Sequence, residues 1–130
     1  MKKYENFVRT LDNLHEIYNY SEPYGTVVLA GLVGLFEMCF EQSWKAMKEI
    51  LDESGFDASK TGSPRMIIKT AYAAGMIADE ELWLSALEDR NNVAHAYKEA
   101  IAVSIVDNTR ARYYEMFAGL KKEIKDRWLE

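Results

Sequence analysis

The stretch Leu87-Glu88-Asp89-Arg90-Asn91-Asn92-Val93-Ala94-His95-Ala96-Tyr97 gathers an arginine, two asparagines, a histidine and a tyrosine at the end of a helix-like segment. A histidine titrates near neutrality and can take the proton of a ribose 2′-hydroxyl. An arginine binds the neighbouring phosphate and stabilises charge on its oxygens as that hydroxyl attacks. Arg90 and His95 together have the groups for cutting an RNA phosphodiester without a metal, leaving a 2′,3′-cyclic phosphate and a free 5′-hydroxyl. Adjacent asparagines are poor helix formers, so something other than propensity favours Asn91 and Asn92 here.

Helical geometry limits how these groups can meet. On a continuous helix, Asn91 and His95 share a face, and so do Arg90 and Tyr97. Arg90 and His95 stand roughly 140° apart at 3.6 residues per turn. One helix does not aim both at one small ligand, whereas two copies facing each other across a two-fold axis build a site with two arginines and two histidines. Plainer roles exist for each residue. His95 can cap a helix end, where an imidazolium is favoured. Tyr97 can be an amphipathic rim residue. Arg90 has Glu88 and Asp89 beside it, but helix residues one or two apart do not face each other.

The elements that must hold this stretch read as helices with short breaks. Tyr4, Phe7, Leu11, Leu14 and Tyr18 place a stripe on one face of a first helix, which breaks over 19–25 at Ser21, Pro23 and Gly25. A second helix is expected over about 26–54, with Gly55 as the residue after its C-cap. Its first half is apolar on nearly every side and needs more than one neighbour, a second subunit being one candidate. A polar loop follows over 56–63. Ser63-Pro64 predicts an N-cap with proline at the first helical position, opening a short third helix that stops at Gly75. Asp79 caps a fourth helix with Glu80 and Glu81 in its first turn. The last helix starts near Lys98 and carries Ile101, Ile105, Tyr113, Phe117, Leu120, Ile124 and Trp128. No strand-like alternation and no internal repeat appears. The expectation is an all-α, up-and-down bundle of about five helices, four long and one short, in a single domain over 1–130.

Composition narrows the function classes. Sixteen Lys+Arg against 21 Asp+Glu give a net charge of −5, too acidic to coat nucleic acid non-specifically. Any RNA contact must come from a local patch, for which Arg65 and Lys69 on the third helix and Arg110 and Arg112 on the last are candidates. A solvated face is the plainer reading of the same residues. Trp83, seven residues before Arg90, is placed to wall a cleft beneath the motif. The single cysteine, Cys39, excludes an intramolecular disulfide and a multi-thiolate zinc site and reads as a small core residue. His15 reads as a surface residue, and Trp44 and Trp128 as packing residues. The apolar run 25–36 is shorter than the ~20 residues a membrane span takes, so it is expected to be a buried helix segment. A cytoplasmic location is the expectation, with no membrane contact.

The pattern Arg90, four residues, His95, one residue, Tyr97 resembles the signature of HEPN proteins of the HepT-like branch, which includes proteins labelled nucleotidyltransferase substrate-binding. Ser63-Pro64-Arg65, then Ala71-Tyr72-Ala73-Ala74-Gly75-Met76-Ile77, then Trp83, then Asp89-Arg90-Asn91 resemble that family's central block in order and spacing. The resemblance is strong over about 63–102 and general elsewhere. Ala96 stands where family members often carry a hydroxyl residue between the histidine and the tyrosine.

The resemblance implies a homodimeric helical bundle and a minimal nucleotidyltransferase encoded nearby as partner. For toxin–antitoxin members it implies metal-independent RNA cleavage by Arg90 and His95, with Asn91 as the polar neighbour of Arg90. It also implies silencing by AMP transfer from the partner to Tyr97. No metal and no cofactor is implied. A non-catalytic subunit that binds a nucleotide or other substrate for a separate nucleotidyltransferase is the alternative. The intact motif leans to the first reading and the acidic charge to the second.

Overall fold

The computed structural model describes residues 1–56 and 62–129. Five helical rods build an all-α bundle, and no strand occurs among the described residues. Helix α1 spans Lys2–Leu14 and buries Phe7, Leu11 and Leu14. It tightens into a 3₁₀ turn at His15–Asn19 that buries Ile17. The stripe expected through Tyr18 ends there for a geometric reason. At three residues per turn, Ile17 comes to lie over Leu14 and Tyr18 rotates outward. Tyr18 is accordingly exposed.

Helix α2, Thr26–Glu53, is the central rod. It packs along α1 and touches the three helices described next. Leu29, Leu32, Phe36, Cys39, Phe40, Ser43, Met47, Ile50 and Leu51 are buried and recur at three- and four-residue steps along one face. Gly55, at φ +88°, and Phe56 close the helix as a Schellman motif, their amides donating to Asp52 and Leu51 carbonyls at 3.2 and 2.9 Å. Although α2 is long and apolar enough by composition to cross a membrane, its stripe is the middle of this core. The segment over 25–36, expected to be a buried helix segment, is buried on one side only in the single chain. Val27, Ala30 and Gly31 are exposed, as is Met38 two turns further on. Too few rods surround the first half of α2 to cover it.

Residues 57–61 of the polar loop expected over 56–63 lie outside the described residues. Helix α3 spans Pro64–Ala73, with the Ser63 hydroxyl accepting from the Met66 amide at 3.2 Å. Helix α4 spans Glu80–Asn91, capped by the Asp79 carboxylate on the Leu82 amide at 3.0 Å. The last rod joins α5, Glu99–Asn108, to α6, Tyr114–Glu123, through a π turn at Thr109–Tyr113, and ends in a second π turn at Ile124–Trp128. The extra residue of the first π turn brings both Thr109 and Tyr113 inside.

Aromatic rings lock the rods together. Phe36 of α2 stacks on Tyr113 with centroids 5.5 Å apart, and Trp83 of α4 meets Phe117 of α6 edge-on, also at 5.5 Å. Burying each such ring contributes about 1.5–3 kcal/mol. Cys39 is fully buried, and burial pushes its thiol far above the ordinary cysteine range.

Candidate functional site

Helix α4 ends at Asn91, and the chain continues as a 3₁₀ turn, Asn92–His95. The asparagine pair thus ends the α-helix, consistent with its low propensity. Angles drawn on one continuous helix from Arg90 to Tyr97 do not apply beyond Asn91. Arg90 leaves the last turn of α4, whereas His95 sits on the 3₁₀ turn and Tyr97 just beyond it. No residue of that turn is buried. His95 is exposed and Tyr97 is 79% exposed, with the Lys98 ammonium 6.0 Å from its ring centre.

The Arg90 guanidinium is ordered from two sides. Its Nη2 makes an ion pair with Glu41 of α2, and its Nη1 donates to Asn91 Oδ1 at 3.2 Å. Glu41 is held in turn by the Trp44 indole, whose Nε1–H donates to Oε2 at 3.2 Å. Sequence spacing puts Glu41 and Trp44 on a shared face of α2, but nothing local connects them to Arg90. The expected packing role of Trp44 therefore includes a polar one.

Asp89 takes the opposite path. Its Oδ2 accepts the Tyr113 hydroxyl at 2.7 Å and the Asn108 amide at 3.0 Å, and the Tyr113 oxygen pairs with Ser85 Oγ at 2.9 Å. Burial, the larger cause, together with the Asp89 charge pushes the Tyr113 hydroxyl up to about 12. The last turn of α4 is thereby fastened to the π turn of the last rod. These polar partners escape sequence reading because they are 19 to 24 residues from Asp89 along the chain.

The candidate polyanion contacts separate in space. Arg65 lines a shallow hollow with Ser85, Glu88 and Asn91, next to the motif. Lys69 lies 3.9 Å from Glu80, at the far end of α4. Arg112 reaches Asn108 Oδ1 at 3.4 Å and stands over the Tyr113 ring. Arg110 donates to the carbonyls of Ile17 and Tyr20 and lies over the Tyr18 ring, so it serves the fold and is not presented to a phosphate. Trp83 is 2% exposed between Phe40 and Phe117, so it belongs to the core beneath the motif and walls no cleft there. His15 is exposed as expected, edge-on to Tyr18 and Tyr114.

Beside Tyr97 lies a groove of about 720 Å³ between the start of α2 and the 3₁₀ turn, lined by Tyr24, Leu29, Val33, Glu37, Val93 and Glu99 among others. Its floor is apolar and its charged groups are carboxylates. Among the described residues, no group of three His, Cys, Asp or Glu side chains is placed to hold a metal ion.

Known proteins share this arrangement of helices. A crystal structure of a Thermus thermophilus protein aligns over 95% of this chain and 99% of its own length, with a TM-score of 0.71 and 27% identity. A Haemophilus influenzae protein, described as revealing the fold of a substrate-binding domain of a nucleotidyltransferase, aligns over 96% of both chains with a TM-score of 0.70. At 20% identity that second likeness speaks for the fold alone. A probable ribonuclease HepT from Haemophilus influenzae is 28% identical over 80 residues, a match spanning 60% of this chain and 55% of that protein. The family model described as nucleotidyltransferase substrate binding protein like matches residues 2–126, and the chain belongs to that family.

Proposed function

We propose that the protein is a HEPN-type, metal-independent endoribonuclease that acts as a homodimeric toxin in the cytoplasm and is silenced by a minimal nucleotidyltransferase. The observation that carries this reading is the exposed turn holding His95, with Tyr97 just beyond it, following an arginine that Glu41 and Asn91 hold from two sides. The exposed Val27, Ala30, Gly31 and Met38 on α2 offer an apolar face for the second copy. In the assembled site, one His95 imidazole takes the proton of the 2′-hydroxyl, whose oxygen attacks phosphorus. The P–O5′ bond breaks, and an imidazolium, His95 of the partner subunit, returns a proton to the leaving 5′-oxygen. Arg90 carries the charge that builds on the non-bridging oxygens.

Tyr97 is the acceptor for AMP in this scheme. Its side chain is exposed and stands at the rim of the groove. An attached phosphate brings negative charge to the place where the RNA phosphate docks, and Arg90 can pair with it.

The test uses purified protein and total cellular RNA. Cleavage with 2′,3′-cyclic phosphate ends, insensitive to EDTA and lost in Arg90→Ala and His95→Ala, is the expected result. Co-incubation with the nucleotidyltransferase encoded nearby, ATP and Mg²⁺ adds adenylyl mass to the wild type and none to Tyr97→Phe. Intact RNA after long incubation favours the second reading, a non-catalytic subunit that presents a nucleotide or other substrate to the nucleotidyltransferase.

A further inference from the structure

We infer that Glu41 is the positioning residue for Arg90, and that Trp44 holds Glu41 in place to do it. The inference rests on the cleavage reading above and adds to it a residue from a different helix.

Three observations lead there. Arg90 has two carboxylates near it in sequence, and neither takes its charge: Asp89 is engaged by Tyr113 and Asn108, and Glu88 is exposed. The partner is Glu41, 49 residues away and on α2. The pair is partly sheltered, with 29% of the Arg90 side chain and 23% of the Glu41 side chain exposed. The two oxygens of Glu41 then have separate tasks, Oε1 toward Arg90 and Oε2 toward the Trp44 indole. A carboxylate tied by an indole cannot swing with the guanidinium. It sets where the guanidinium lies.

The consequence for chemistry follows from the fork of arginine. Five N–H donors lie in one plane. Glu41 forms an ion pair with one terminal nitrogen and Asn91 accepts a hydrogen bond from the other, which restrains the guanidinium from two sides and leaves further N–H groups for a phosphate. Ordering the side chain in the resting protein removes that cost from the reaction, which is how prepositioned groups accelerate it. The same carboxylate offsets the positive charge of Arg90, so it weakens ground-state attraction for RNA. Positioning and attraction therefore pull in opposite directions at this residue, and that opposition supplies the readout.

Glu41→Gln keeps the volume and removes the charge. Its single oxygen can face Trp44 or Arg90 but not both, and facing Trp44 turns a donor amide toward a donor guanidinium. The experiment measures kcat and KM of the full-length wild type, Glu41→Gln and Trp44→Phe on a short RNA. In parallel it records ¹⁵N spectra of the arginine guanidinium groups, with Arg90 assigned by its absence in Arg90→Lys. The expected result is a fall in kcat of about tenfold for Glu41→Gln, as for a small misplacement of a catalytic group, with KM unchanged or lower. The Arg90 Nη signals, separate in the wild type because rotation is hindered, merge in the variant. Trp44→Phe shows the same signs to a smaller degree and carries the test if Glu41→Gln does not fold.

A kcat that is unchanged or raised in Glu41→Gln, or Arg90 signals that stay separate, overturns the inference. A lower melting temperature with kcat intact overturns it too, because it assigns Glu41 a purely structural role. Wild-type protein that cuts no RNA overturns the cleavage reading itself. In that case the Arg90 spectra alone decide whether Glu41 sets the guanidinium.

Discussion

Asp89 and Arg90 are neighbours in the chain, yet they belong to two differently built regions. Asp89 joins a closed network with Tyr113, Asn108 and Ser85 that fastens α4 to the last rod. Arg90 opens the other region, which continues through Asn91 to the exposed His95 and Tyr97. In the first region the polar atoms find protein partners and Tyr113 is fully buried. In the second the backbone is a 3₁₀ turn with no buried residue. The helical turn itself thus assigns adjacent residues to different regions. A 100° step sends one side chain inward and the next to the rim.

His95 is where this contrast is most open to refutation. If the open region serves chemistry and little else, His95→Ala lowers RNA cleavage by about 10²–10⁴-fold, as for loss of a general base. Its urea midpoint stays with the wild type. A large loss of stability in that variant would erase the distinction between the regions. Asp89→Ala is the converse experiment. It strips the partner from buried donors and is expected to lower unfolding free energy by about 1–3 kcal/mol, read from urea curves.

Tyr113→Phe probes the closed side more finely, at an expected cost of about 1 kcal/mol near neutral pH. Because the native hydroxyl is pushed up to about 12, the unfolded chain releases that proton first, near pH 10. The stability this group contributes is therefore complete below about pH 10 and declines as pH rises from there through about 12. Tyr113→Phe removes that component of the alkaline decline, which urea titrations across this window detect. The smallest effect belongs to Tyr97→Phe. At 79% exposure, its unfolding free energy is expected to stay within about 0.5 kcal/mol of the wild type.

Much of the fold is legible in local sequence because helix ends are local events. Ser63, Pro64, Asp79, Gly55 and Gly75 each act on amides or dihedrals within a few residues, and each sits at the boundary expected for it. The site is legible as a cluster of residue types but not as a geometry. Placing Tyr18 inward requires an α-helix where a 3₁₀ turn forms. Reading Trp83 as the wall of a cleft beneath the motif fails because Phe40 and Phe117 enclose it from other rods, and the hollow it does border lies away from the motif, beside Gly75 and Glu115. Glu41 could not be connected to Arg90 from spacing, since an ion pair across two helices leaves no periodic trace in either. The five-rod count was readable, while the π turn that carries Tyr113 was not, because a single-residue slip preserves the apolar stripe on both sides of it.

The Arg110 contact described above also bears on how the chain assembles. Its guanidinium grips carbonyls at the end of the first rod, 93 residues earlier for Ile17. Contacts of that span contribute most to contact order and delay their own formation, because a long loop must close before any of them forms. The 3₁₀ turn at His15–Asn19 and the Thr109–Tyr113 segment are therefore expected to dock late and to separate together. In native-state hydrogen exchange their amides would open as one cooperative unit, tying the N-terminal rod to the helix that anchors Asp89.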